Sequence, residues 1–124
     1  MAGDVFAAMA DVPSYAHFEK RLFDMTGSMA DGAEYLRRFP DRLERVLQTL
    51  TYFDNVNLTP RIRCPVLVSC GLRDTISPPE NVFAAYNRIR SKKRIEVYPF
   101  AGHEGGGEHH EELKFQWLAE QLGT

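Results

Sequence analysis

The first half of the chain carries apolar residues at helical spacing. Residues 14–25 predict a first helix, and Asp31 followed by Glu34 resembles a capping box at the start of a second. Residues 1–13 show no such period, so we expect them to be irregular. The region 1–62 is therefore predicted to be a helical segment. The clearest helical pattern within it, with apolar residues at i, i+3, i+4, i+7 and i+10, is Leu43, Val46, Leu47, Leu50 and Phe53.

The second half, residues 63–124, reads as strand, helix, strand, helix. Pro65–Cys70 is a continuous apolar run typical of a buried parallel strand, and residues 94–98 predict a second strand. A last helix is predicted from about His109 to Gln121. Together these elements predict one α/β domain over residues 1–124, with two parallel strands and about five helices. The helix between the strands begins with residues suited to N-cap, N1 and N3: Ser77, Pro78 and Glu80.

Composition excludes several classes of protein. Hydrophobic residues make up 44% and charged residues 26%, as in soluble globular domains, and the net charge of −2 gives no reason to expect a nucleic acid or a membrane as partner. No segment is apolar enough to span a membrane, and the N-terminus does not read as a signal peptide. Cys64 and Cys70 would lie roughly 20 Å apart on one strand, too far to bridge. Two free thiols predict a cytoplasmic protein.

Two residues at strand ends suggest chemistry. Asp74 follows the first predicted strand, and His103 follows the second in a loop rich in glycine. Side chains at the carboxyl ends of parallel strands meet at one edge of the sheet. The order acid, helix, strand, histidine is that of an α/β-hydrolase, in which the acid orients the histidine and the histidine moves the proton of a serine nucleophile. Asp74 and His103 are therefore the predicted catalytic residues.

Other readings of these residues are weaker. A lone aspartate after a strand is usually a helix cap or a turn former. Cys70 would need a paired base to act as a nucleophile, so a buried, inert thiol is expected. No metal or cofactor is predicted, because the spacing of a histidine-rich acidic patch does not match a metal-binding H-E-x-x-H helix. That patch consists of His103, Glu104, Glu108, His109 and His110.

Long parts of the sequence resemble the C-terminal part of the acetyl xylan esterase and cephalosporin C deacetylase family. The matching segments are residues 52–57, 65–74, 78–79, 82–87, 97–99 and 103–107, within a resemblance that runs from about Asp11 to about Leu122. In that family the acid lies in a G-L-x-D motif, which ends at Asp74 here, and the histidine begins an H-E-G-G-G motif, which starts at His103. The resemblance implies a partial α/β-hydrolase fold, an acetylated sugar or other small acetyl ester as substrate, no metal and a homo-oligomer.

The chain departs from this family at the nucleophile. A G-x-S-x-G turn is absent, and none of the serines lies where such a turn would be: Ser14, Ser28, Ser69, Ser77 and Ser91. At 124 residues, the chain is also shorter than the roughly 200 that a complete α/β-hydrolase needs. We therefore expect a C-terminal fragment that is inactive alone, whose strand at 65–70 has an unpaired edge that favours self-association. The alternative is a non-catalytic remnant used for oligomerisation or interaction.

Overall fold

The protein combines a small parallel sheet with helices, which confirms the predicted α/β class. The structure, a computed structural model, describes residues 4–24 and 27–123. Single turns of 3₁₀ helix also occur in the described ranges. The strands are β1 (Ala8–Asp11), β2 (Val66–Gly71) and β3 (Lys93–Tyr98), and the α-helices are α1 (Phe18–Asp24), α2 (Ala30–Arg38), α3 (Leu43–Thr51), α4 (Asn55–Leu58), α5 (Pro79–Arg88) and α6 (Gly107–Leu122).

The sheet has three strands in the order β1–β2–β3, so the prediction of two strands is wrong. Strand β1 lies in the region expected to be irregular, and it pairs in parallel with β2, with Ala8 opposite Val66. Strand β3 pairs in parallel with the other side of β2, with Gly71 opposite Tyr98. Strand β2 is therefore the central strand, and the expectation that it has an unpaired edge is also wrong. Within the described residues, β1 and β3 are the outer strands, and each has one edge without a partner strand.

The core lies between β2 and the helix that follows it. Val66, Val68 and Cys70 of β2 form one buried cluster with Val82 and Ile89 at α5. Because side chains alternate along a strand, the residues of β2 between them face the opposite side of the sheet. Helix α6 contacts β2 and has a buried tryptophan. The central strand is thus buried on both faces, as its unbroken apolar run predicts.

The helical half matches the pattern in α2 and α3 but differs at its start. Helix α1 begins at Phe18, four residues later than predicted, because the segment before it is not helical. Three residues of that segment that are not glycine have left-handed backbone: Val12 at φ 41°, Tyr15 at φ 56° and His17 at φ 55°. Such geometry is costly for residues with a side chain and persists only where neighbouring groups impose it. Met25 and Thr26, at the predicted end of this helix, lie outside the described residues.

The Asp54 side chain binds the backbone at the point where this segment meets α1. Its carboxylate is buried and accepts hydrogen bonds from the backbone N–H groups of His17 at 2.9 Å, Phe18 at 2.8 Å and Val56 at 2.9 Å. The same side chain therefore caps the N-termini of both α1 and α4. The sequence pattern had suggested only that a helix ends near Asp54. Within residues 4–24 and 27–123, no helix is long and apolar enough to cross a membrane.

Candidate active site

The ends of β2 and β3 bring the two predicted catalytic residues together. Gly71, the last residue of β2, pairs with Tyr98, the last residue of β3, so the loops that follow leave the sheet side by side. The Leu72 N–H donates to the Tyr98 carbonyl at 3.1 Å, and the Arg73 N–H donates to the Ala101 carbonyl at 3.0 Å. A Cβ on Gly71 would lie 2.6 Å from the Ala101 carbonyl oxygen, so only glycine permits this approach.

Asp74 and His103 form a direct hydrogen bond. His103 Nδ1 lies 2.9 Å from Asp74 Oδ2, which confirms the expected contact between the side chains. The Asp74 side chain is fully buried, whereas that of His103 is 45% exposed. A carboxylate can only accept a hydrogen bond, so Nδ1 carries the proton and, in the neutral ring, Nε2 is left as a basic acceptor. This is the tautomer that a general base requires.

The second oxygen of Asp74 is held by the backbone. Oδ1 accepts hydrogen bonds from the N–H groups of Ile76 at 2.8 Å and Ser77 at 2.9 Å. These bonds leave Oδ2 directed at the histidine ring, and they compensate the burial of the carboxylate. Within the described residues, His103 Nε2 has no hydrogen-bond partner, so its lone pair is free to accept a proton. The pair can therefore orient an imidazole and move a proton, but it contains no nucleophile.

Three of the serines that the structure describes take part in other hydrogen bonds. Ser69 is buried within β2, where its Oγ accepts a hydrogen bond from the Val12 N–H at 3.1 Å. Ser14 Oγ and Ser77 Oγ lie 2.6 Å apart. Ser77 does not cap α5 as predicted, because Pro78 is the N-cap residue and the helix begins one residue later, at Pro79. Ser91 Oγ is buried and has no partner in the described part of the chain.

The cysteines and the possible metal ligands are the other candidates for a reactive group among the described residues. Cys64 and Cys70 are free. Burial, followed by the negative charges of Asp74 and Glu80, raises the pKa of the Cys70 thiol, which disfavours the nucleophilic thiolate. Among residues 4–24 and 27–123, no group of three or more histidine, cysteine, aspartate or glutamate side chains could hold a metal ion.

A small cavity of about 250 Å³ lies beside the acid loop. Its lining includes Pro13, Ser14, Arg21, Ile76, Ser77 and Asn81. The Asn81 amide donates to the Ala16 carbonyl at 3.0 Å, while its buried Oδ1 has no partner within the described residues. The cavity is below the usual range of about 300–1,000 Å³ for ligand pockets, and it could take one small polar group.

Sequence reasoning missed a buried histidine, His110, outside the predicted catalytic pair. His110 is 2% exposed and lies between Tyr98 and Asp11, with Nδ1 2.9 Å from Tyr98 Oη and Nε2 3.1 Å from Asp11 Oδ1. The sequence had grouped His110 with its neighbours as an acidic, histidine-rich patch. The helical spacing of His110 and Trp117, both buried on α6, is the signal that separates His110 from the exposed His109.

Comparison with known proteins gives one consistent family. The sequence model described as acetyl xylan esterase (AXE1) matches residues 1–121. The chain is 30% identical over 106 residues to acetyl esterase Axe7A of Xylanibacter ruminicola, covering 82% of this chain and 24% of that protein.

Solved structures agree with that match. Acetyl xylan esterase 1 from Thermoanaerobacterium sp. is 36% identical with a TM-score of 0.80, covering 94% of this chain and 38% of that one. Acetyl xylan esterase from Paenibacillus sp. R4 is 31% identical with a TM-score of 0.84, covering 92% and 37%. A metagenomic α/β-hydrolase, MGS-MChE2, is 16% identical with a TM-score of 0.56 and shows the fold alone. The chain thus spans less than two fifths of the length of these esterases.

Proposed function

Because this chain belongs to the acetyl xylan esterase family, we propose that it supplies the acid and the histidine of a serine esterase. The proposed reaction is removal of acetyl groups from acetylated xylo-oligosaccharides, other small sugars and esters of the cephalosporin C kind. The hydrogen bond between His103 Nδ1 and Asp74 Oδ2 at 2.9 Å is the observation that carries this proposal.

In the proposed mechanism, His103 Nε2 takes the proton of a serine hydroxyl as that oxygen attacks the acetyl carbonyl. The imidazolium then gives the proton to the leaving sugar oxygen, and an acyl-serine remains. In the second step His103 removes a proton from water, whose oxygen attacks the acyl carbon; the imidazolium then returns the proton to the serine oxygen, which leaves as the free hydroxyl as acetate is released. Asp74 holds the ring orientation and stabilises the imidazolium throughout.

The serine in this mechanism is not among those of this chain. Ser14, Ser69 and Ser77 have other hydrogen-bond partners, and Ser28 and Ser91 lie in no strand-to-helix turn of the G-x-S-x-G kind. We propose that the nucleophile and the oxyanion hole come from a further polypeptide segment, on the same chain or on another, and that residues 1–124 are inactive alone.

The proposal also covers partners and location. We propose a homo-oligomer, in part because β1 is an outer strand of the sheet and Val5, Phe6 and Met9, on or just before that strand, are exposed. The same surface favours the alternative function, a non-catalytic module that mediates assembly. A cytoplasmic location is supported by the two free cysteines.

Incubation of the purified chain with an activated acetyl ester, and separately with a fluorophosphonate probe, tests the absence of a nucleophile. We expect no turnover above buffer and no labelling, because a base and an acid without serine or oxyanion hole stabilise little of the transition state. Turnover that His103→Ala abolishes and His109→Ala retains would contradict the proposal. So would labelling of any of the five serines.

A further inference from the structure

A partly buried polar network, centred on the buried His110, ties the loop of His103 to the sheet. His110, in the first turn of α6, bridges Tyr98 at the end of β3 and Asp11 at the end of β1. The Asp11 carboxylate can only accept, so His110 Nε2 carries the proton, and Nδ1 accepts the hydrogen bond of the Tyr98 hydroxyl. Both ring nitrogens of neutral His110 are then hydrogen-bonded, and only this tautomer pairs both of them.

The charges around the network favour this arrangement. Partial burial opposes ionisation of Asp11, but the hydrogen bond and charge of Lys114, whose Nζ lies 2.6 Å from Oδ2, together with His110, lower the pKa of Asp11. Burial, followed by the charge of Glu96, raises the pKa of Tyr98, so the phenol remains a donor. An anionic acceptor at one end and a neutral donor at the other fix the direction of both hydrogen bonds.

The network holds the two ends of a glycine-rich loop, whose internal hydrogen bonds include Gly105 N–H to the Gly102 carbonyl at 3.2 Å and Gly107 N–H to the Glu104 carbonyl at 3.1 Å. Between Tyr98 and His110, the glycines at 105, 106 and 107 all have left-handed backbone, with φ of 54°, 98° and 52°. Gly106 packs against the Tyr98 ring so closely that a Cβ there would lie 2.5 Å from ring atoms. Three consecutive glycines give the chain many alternative paths, so contacts at the ends of the loop add to its internal hydrogen bonds in selecting the native path.

His103 lies inside this loop and is itself weakly held. Its side chain is 45% exposed. Among the described residues, Asp74 is the one hydrogen-bond partner of the ring. Besides the local hydrogen bonds of Gly102 and Gly105, the position of the ring is therefore sensitive to where the loop begins, at Tyr98, and where it ends, at His110. Asp11 joins both points to a strand that is not adjacent to β3 in the sheet.

We propose that the Tyr98–His110–Asp11 network is a positioning device for His103, with His110 as a positioning residue that touches no reacting atom. By fixing both ends of the glycine loop, the network keeps His103 Nδ1 within hydrogen-bond reach of Asp74. The importance of this network for catalysis rests on the proposed function. Its effect on the position of His103 does not, so that effect can be measured without an activity assay.

The test uses the full chain labelled with ¹⁵N and compares three variants by NMR. His110→Leu removes both hydrogen bonds and keeps a similar volume. His110→Gln keeps both, because its amide N–H can donate to Asp11 and its carbonyl oxygen can accept from Tyr98. His109→Leu makes the same chemical change on the exposed neighbour, whose ring meets Tyr98 edge-on but has no hydrogen bond to the network among the described residues. The readout is the His103 Nδ1 proton: its chemical shift and its rate of exchange with water.

In His110→Leu we expect the His103 Nδ1 proton to exchange with water about tenfold faster. We also expect its chemical shift to move away from the value of a strongly hydrogen-bonded proton. His110→Gln should restore most of the wild-type signal, and His109→Leu should leave it unchanged. A folded His110→Leu with unchanged His103 signals would overturn the proposal, as would an equal effect of His109→Leu.

If His110→Leu does not fold, Tyr98→Phe decides, since it removes one hydroxyl and keeps the ring against Gly106. Faster exchange at His103 in that variant supports the proposal, and wild-type exchange overturns it. These outcomes are separate from those of the proposed function. An esterase nucleophile found within this chain would contradict that function and leave the NMR result standing.

Discussion

At the scale of single residues, buried carboxylates determine the local structure. Asp74 has one oxygen bound by two backbone N–H groups and the other by His103. Asp54 accepts three backbone N–H groups and caps two helices. In both cases the backbone donors compensate for desolvation, so removal of the side chain leaves several buried donors unpaired.

Asp54→Ala is expected to lower the free energy of unfolding by about 2–4 kcal/mol, since three N–H groups lose their acceptor. Asp54→Asn keeps one acceptor oxygen and should lose less. Urea unfolding followed by circular dichroism measures both, with Asp41→Ala on the exposed surface as the control. Equal stabilities of Asp54→Ala and Asp41→Ala would show that these caps contribute nothing.

Asp11 should make stability depend on acidity. Its pKa in the folded protein is below the unfolded value of 3.8, so the folded state is stabilised above that pH, and the stabilisation is lost as the pH falls through the folded pKa. Asp11→Asn should therefore lose more stability at about pH 6 than at about pH 3. Urea unfolding at both pH values measures this, and Asp41→Asn is the control. A loss that is the same at both values would contradict the direction of the shift.

At the scale of elements, the strand–helix–strand unit determines the site. Its strands end at the same edge of the sheet, and the glycine loop after β3 returns His103 to Asp74. The positions of this loop differ in how strictly they require glycine. A Cβ at Gly106 would contact the Tyr98 ring, whereas a Cβ at Gly107 would meet nothing within 4 Å.

Gly106→Ala is expected to cost about 1–3 kcal/mol and to displace the loop, because strain and a clash combine there. Gly107→Ala should cost about 1 kcal/mol, since the residue has left-handed backbone but open space. Thermal and urea unfolding compare the two alanines. The prediction fails if Gly107→Ala is the more damaging variant.

The unit that carries the site was predictable from the sequence, and the first strand was not. Strand β2 is an apolar run in which apolar and polar positions do not alternate, and this pattern indicates a buried parallel strand. Strand β1 is four residues long and contains two alanines, and its conformation is set by pairing with β2 rather than by local preference. The His110 network joins residues that are far apart in sequence, so no local pattern could reveal it.

At the scale of the whole molecule, the open edge of the sheet at β1 is the surface that bears on self-association. The outer edge of β1 presents backbone groups with no strand beside it among the described residues, next to exposed Val5, Phe6 and Met9. Flat apolar edges of this kind favour pairing with another strand. The predicted self-association therefore stays a prediction, with β1 instead of β2 as the pairing strand.

Light scattering at micromolar concentration should show association of the wild-type chain. Met9→Lys should weaken it, because a charge at an edge opposes pairing. Phe115→Lys places the same charge on an exposed apolar position of α6, distant from the edge in sequence, and should leave association unchanged. A wild-type chain that remains monomeric over this range would contradict the prediction.

A chimaera in which this chain replaces the matching segment of the Thermoanaerobacterium acetyl xylan esterase would test Asp74 and His103 directly, by its hydrolysis of an acetyl ester. We expect an active chimaera whose kcat falls on the order of 10⁴-fold with His103→Ala or Asp74→Asn, while His109→Ala stays near the parent value. An active chimaera that keeps its kcat after His103→Ala would contradict the claim that Asp74 and His103 are the acid and base of this esterase.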